Sequence, residues 1–150
     1  MSEACLGTWT IGAEGWVGVD DNESIRMLNT ALDVGMNYID TAHAYGLGHS
    51  ETVIGEALKG RRDEAVICTK VGTRWDENNV RYPDCSYDFI MQSVEDAMKR
   101  LQTDYIDIYL MHYYRPEVPH DETMGAMKNS WIRKPFVPSA GSCISGPSPG

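Results

Sequence analysis

The chain has 150 residues, 42% of them hydrophobic, enough for a buried core and too apolar for an intrinsically disordered segment. Its 22 acidic and 13 basic side chains leave a net charge of −9. That balance argues against non-specific binding to nucleic acid or to an anionic membrane surface, both of which need positive charge.

Four cysteines stand at 5, 68, 85 and 143, with no CxxC pair and no metal-ligand spacing to histidine. Free thiols in a reducing cytoplasm are expected, and no metal site. No basic leader precedes an apolar run, and no apolar stretch is long enough to span a bilayer.

In chain order, Cys5 to Ile11 is a short β-forming run broken by Gly7, followed by a glycine-bearing loop. Asp20-Asp21-Asn22 offers helix caps, and Ile25, Leu28, Leu32 and Met36 recur at helical spacing. Gly35 ends that helix. Asn37 to Asp40 is partly apolar and suits an inner parallel strand, which leaves Asp40 at its C-terminal end and Tyr45 just before the turn at Gly46. Ser50 and Glu51 open a second helix with Val53, Ile54, Ala57 and Leu58 inward, stopped by Gly60. Ala65 to Val71 is a dense β-forming run, and Thr73 to Pro83 reads as a long polar loop. A third helix runs from Tyr87 to Leu101 on the stripe Ile90, Val94, Ala97, Met98 and Leu101. Tyr105 to His112 is a fourth strand, and a fourth helix begins near Glu122 and fails around Ser130.

Strand then helix, four times over, predicts a parallel sheet with helices packed outside. Right-handed crossovers leave an open doubly wound sheet or a β/α barrel. Short strands with polar residues at their C-terminal ends suit the barrel, although periodicity does not separate the two.

Barrel active sites form at the C-terminal ends of the strands, where Asp40, Tyr45, Lys70 and His112 would meet. The set has a coherent chemistry. An ammonium beside a phenol stabilises the phenolate, a carboxylate keeps the ammonium charged and placed, and an imidazole N–H polarises a carbonyl oxygen. Such a group can protonate the oxygen of an aldehyde or ketone while hydride arrives from elsewhere. Taken alone, a tyrosine beside a turn is usually packing and a lysine ending a strand usually reaches solvent, while His112 also reads as a core histidine and Asp40 as a loop cap; the inference rests on the four together.

The sequence resembles the aldo-keto reductase family from about residue 6 to 127. The resemblance is carried by Leu6-Gly7-Thr8-Trp9, Gly35 to Ala42, Ala44-Tyr45-Gly46, Ser50-Glu51, Gly55, Ala57-Leu58, Thr69-Lys70, Arg100-Leu101 with Asp104 to Asp107, and Leu110-Met111-His112. It implies a (β/α)8 TIM-type barrel and NADPH-dependent reduction of aldehydes and ketones to alcohols. It places Asp40, Tyr45, Lys70 and His112 on a catalytic tetrad with Tyr45 as proton donor, and Thr8, Trp9 and Asp40 beside the nicotinamide and its ribose. Trp16 and Trp75 lie in loops, where they would either line a substrate pocket or stand as surface aromatics.

A whole barrel takes roughly 250 residues, so the chain is expected to supply about the first four β/α units. Residues 1–127 then form the N-terminal half, and the family's main phosphate- and adenine-binding segments lie outside it. Open sheet edges would invite self-association. A catalytically silent nucleotide-binding, regulatory or interaction module is the alternative to an enzyme, and an inert truncation product is a third reading.

Residues 128–150 break the family pattern and turn rich in Pro, Gly and Ser, as a disordered or frameshifted tail would. Read from the third base of the Lys128 codon, permitted codons yield Glu-Leu-Val-Asp-Gln-Lys-Ala-Ile-Arg-Ala-Ile-Gly. The Asp is forced by the Trp131–Ile132 junction, and the string resembles the family's continuation into a fifth strand. Sequencing the encoding DNA is expected to show a shifted frame that continues into that strand; a frame without one overturns the frameshift reading.

Overall fold

The computed structural model describes residues 1–12, 19–113 and 117–132. Trp16 and the tail beyond Ile132 lie outside them. In chain order the elements are β1 (Cys5–Gly7), a 3₁₀ turn (Trp9–Gly12), α1 (Asp21–Asp33), β2 (Tyr38–Asp40), α2 (His49–Ala57), a second 3₁₀ turn (Arg62–Glu64), β3 (Val66–Val71), β4 (Thr73–Trp75), β5 (Arg81–Pro83), α3 (Tyr87–Arg100), β6 (Ile108–Met111) and α4 (His120–Ile132).

β1, β2, β3 and β6 form one parallel sheet in that order, with Leu6 beside Ile39, Ile39 beside Ile67, and Lys70 beside Leu110. Each new strand is added on the same side as the last. A doubly wound sheet reverses direction at its switch point, so this order selects the β/α barrel over the open alternative. Among the described residues, β1 and β6 each have one strand neighbour.

Alternation along the strands divides the sheet into two faces. Ile39 and Ile67 point toward the helices and are fully buried, with Leu28 of α1, Ile54 of α2 and Leu101 after α3 in the same core. Burial of each such side chain stabilises the fold by about 1.5–3 kcal/mol. Asp40 and Lys70 fall on the opposite face. The helix ends follow the sequence closely. Asp20 caps α1 by accepting a hydrogen bond from the Glu23 amide at 3.0 Å, and Gly35 closes it in a left-handed conformation at φ 85°. Among the described residues, no helix is long and apolar enough to cross a membrane.

Four elements depart from the sequence reading. The first strand stops at Gly7 rather than Ile11, because the Thr8 amide and hydroxyl both donate to the Asp40 carbonyl and the chain then turns over on Ile11 N–H to Thr8 O. The fourth strand begins at Ile108 rather than Tyr105. The segment before it is used as a clamp: the Asp107 carboxylate accepts from Arg62 at 2.6 Å and from the Ile67 amide at 2.8 Å. The segment read as a polar loop at Thr73 to Pro83 contains an antiparallel hairpin, β4–β5. Its turn is made by Asp76, whose Oδ1 accepts from the Asn78 and Val80 amides, with Asn79 at φ 62°. Finally, α4 stays helical to Ile132, two residues beyond Ser130 where its pattern fails; Asn129 donates to the Tyr87 hydroxyl on α3, a tertiary contact that local periodicity does not register.

One backbone contact places the Tyr45 loop. Gly12 lies directly against the backbone of Tyr45 and Gly46, and a methyl on Gly12 would overlap the Tyr45 carbonyl carbon. Gly46 itself has φ 66°. Gly12→Ala is expected to lower the stability of the chain by about 1–3 kcal/mol through forced backbone displacement, read as a reduced midpoint in urea unfolding followed by circular dichroism. An unchanged midpoint would show that the two loops are not held together here.

Candidate active site

The four residues expected at the strand ends converge. Lys70 Nζ donates to Asp40 Oδ1 at 2.7 Å, to the Thr41 carbonyl at 2.8 Å and to the Tyr45 hydroxyl at 3.3 Å. His112 follows β6, tied by its amide to the Val71 carbonyl at 2.7 Å. Its ring meets Tyr45 edge to face with centroids 6.1 Å apart. Lys70 and Asp40 are mostly buried, with side chains 13% and 27% exposed, so their ion pair is less screened than a surface pair.

Burial pulls the Lys70 ammonium toward neutrality, but the hydrogen bond and charge of Asp40, with Tyr45, outweigh it and hold the lysine above its ordinary value. His112 moves the other way. Burial, then the positive charges of Lys70 and Arg81, push its pKa below 6.5. At neutral pH the site therefore holds a charged lysine and an uncharged imidazole. The Cys68 thiol beneath Asp40 is buried, and desolvation followed by the carboxylate's charge raises it to about 11, which keeps it protonated.

Of the three residues that the resemblance places at the nicotinamide, Asp40 faces the site, and Trp9 is 51% exposed at the start of the 3₁₀ turn after β1. Thr8 is fully buried, and its hydroxyl is engaged inside the protein: it donates to Asp40 O at 2.9 Å and accepts from Ser50 Oγ at 2.8 Å. Thr8 thus braces the backbone of Asp40. Trp75, on β4, packs edge to face on His43 at 5.4 Å.

A supporting layer was not assigned a role from sequence. Glu51 is completely buried, accepting from Thr69 Oγ1 at 2.6 Å and from Arg100 Nε at 2.7 Å. It ties α2 and α3 to the strand residue preceding Lys70. Beside it, Ser50 joins the hydroxyls of Thr8 and Thr41, linking the ends of β1 and β2 to α2. Glu51 lies in the first turn of α2, and Arg100 is the last residue of α3, beside its apolar stripe. Nothing local says that the two meet.

Fold and site define a β/α-barrel sector with a tyrosine, a lysine, an aspartate and a histidine gathered at its strand ends. The comparisons agree. Residues 3–130 match the model of the aldo/keto reductase family. The chain is 46% identical over 125 residues to the aldo-keto reductase YhdN of Bacillus subtilis, covering 82% of this chain and 38% of that protein. It superposes on the holo form of aldo-keto reductase AKR11C1 from Bacillus halodurans with a TM-score of 0.76 and 37% identity, covering 85% of this chain and 41% of the other. A Klebsiella pneumoniae aldo-keto reductase in complex with NADPH gives a TM-score of 0.66 at 32% identity, covering 84% and 40%. The chain belongs to the aldo/keto reductase family, and it spans about two fifths of the length of these relatives.

The charge pattern has a direct test. With its neutral form favoured in the fold, His112 contributes stability that is present above pH 6.5 and is lost as pH falls through its lowered native value. Its ring resonance, assigned by loss in His112→Gln, is expected to titrate below pH 6.5 in proton NMR. Titration at or above 6.5 would contradict the described surroundings.

Proposed function

We propose that this chain carries the proton-donating half-reaction site of an NADPH-dependent reductase that converts aldehydes or ketones to alcohols. The observation that carries the reading is the Lys70 ammonium shared between Asp40 and the Tyr45 hydroxyl, with the neutral His112 ring alongside. His112 would donate its ring N–H to the carbonyl oxygen and set its direction. As the oxygen gains negative charge, Tyr45 gives it the phenolic proton, and the ammonium of Lys70 stabilises the phenolate left behind. Asp40 keeps that ammonium in place. Solvent returns a proton to Tyr45 after release of the alcohol.

The bound nicotinamide supplies the hydride that adds to the carbonyl carbon. The residues present suit its reacting end. Gly7, on the strand preceding Thr8, has no atom within 4 Å of where a Cβ would project, and Trp9 offers an exposed ring nearby. Trp9 and Asp40 would flank the nicotinamide and its ribose, with Thr8 holding the Asp40 backbone. The NADPH complex of the Klebsiella relative supports this choice of cofactor. The free thiols Cys5, Cys68 and Cys85 support a cytoplasmic setting.

A second reading rests on the sheet edges. β1 and β6 each present an unpaired side among the described residues, so the chain can act as a binding module that associates through them.

The deciding experiment is oxidation of NADPH, beside NADH, by the purified 150-residue chain with a reactive aromatic aldehyde. Turnover is expected, with Tyr45→Phe losing at least about a hundredfold in kcat. Binding of NADPH without turnover would favour the module, and the absence of both would remove the reductase reading from this chain.

A further inference from the structure

The β4–β5 hairpin lays one of its faces over the strand ends. Trp75 and Arg81 are direct cross-strand partners, so their side chains project on the same side. Trp75 packs on His43, and the Arg81 guanidinium lies 5.5 Å from the centroid of the Tyr113 ring. Tyr113 in turn stacks on His112, centroids 4.8 Å apart and planes 29° from parallel. Arg81, Tyr113 and His112 therefore form a short column that leads from the hairpin to the carbonyl-orienting group.

The two arginines of this hairpin differ. Arg74, opposite Tyr82, is neutralised by Asp84 at 3.0 Å and lies over Phe89. Arg81 is exposed and has no carboxylate partner among the described residues; its recorded neighbour is an aromatic face. In a chain of net charge −9, an unneutralised guanidinium beside the site is a local exception. Its field reaches His112, where it adds to the depression of the imidazole. A planar guanidinium is suited to bidentate capture of a carboxylate, and the neighbouring Trp75 supplies an apolar wall for the carbon skeleton between.

We propose that Arg81 binds an anionic group on the substrate, so that this site takes carbonyl compounds bearing a carboxylate a short distance from the reacting carbon. The assignment rests on the reductase reading for its chemistry and on the hairpin geometry for its charge. Arg81 and Trp75 are then the specificity-determining residues, distinct from the four that handle the proton.

The test compares 4-carboxybenzaldehyde with its neutral methyl ester, methyl 4-formylbenzoate, in the full chain and in Arg81→Leu. The exposed position of Arg81 makes this variant tolerable to the fold. The ratio of kcat/KM for the acid to that for the ester is expected to fall about tenfold in the variant, the scale of one charge-assisted contact. A ratio unchanged by the substitution overturns the proposal, even if both aldehydes are reduced.

Failure of the reductase reading looks different: neither aldehyde is turned over. The decision then passes to tryptophan fluorescence titration with 4-(hydroxymethyl)benzoate. Saturable binding that weakens about tenfold in Arg81→Leu supports the anion site independently of catalysis. No binding, or equal binding by both proteins, overturns it.

Discussion

A single buried carboxylate organises the supports of this site. Glu51 has no exposed surface, and an isolated carboxylate in that position would be strongly disfavoured. Its two oxygens are satisfied from different elements, one by Thr69 on β3 and one by Arg100 at the end of α3. The requirement to satisfy that charge fixes α2 and α3 relative to β3, and Lys70 is the next residue along the strand. Removing Arg100 leaves the buried carboxylate without its counter-charge, a cost of about 3–5 kcal/mol; removing the Thr69 hydroxyl loses one hydrogen bond to it, about 1–3 kcal/mol. The close approach of Gly55 to the Arg100 carbonyl belongs to the same junction, where a Cβ would collide with backbone.

The residues gathered at the strand ends depend on this frame in two ways. The Thr8, Ser50 and Thr41 hydroxyls satisfy one another between the ends of β1, β2 and α2, so the polar ends of the strands are buried without losing hydrogen bonds. The Gly12–Gly46 contact then sets the Tyr45 loop against that layer. The candidate site sits at the surface of a tightly constrained junction, where Asp40 and Tyr45 outweigh burial and keep Lys70 charged, while burial first, and then two cations, favour the neutral form of His112.

Much of this arrangement was legible from residues. Helical spacing gave α1, α2 and α3, and the four strand-end side chains meet as expected because consecutive parallel strands bring their C-terminal ends to one side. The turn of chain after Gly7 was hidden because its cause is a long-range hydrogen bond from Thr8 to Asp40. The hairpin was hidden because β4 and β5 are three residues each and carry arginine, tyrosine and proline rather than an alternating apolar pattern. The Glu51–Arg100 pair joins residues 49 positions apart, and no local periodicity encodes such a partner. The specificity proposed for Arg81 follows from the hairpin.

The strand order also has a kinetic meaning. Because β1, β2, β3 and β6 stand side by side in the order in which they are made, each β/α unit finds its partner in the unit just before it. Contacts between successive units keep loop closure short, and no early strand waits for a late one to be inserted between itself and its neighbour. Such a chain can grow its sheet by accretion as it leaves the ribosome, with the loop that carries Tyr45 formed after the second strand and Lys70 delivered by the third.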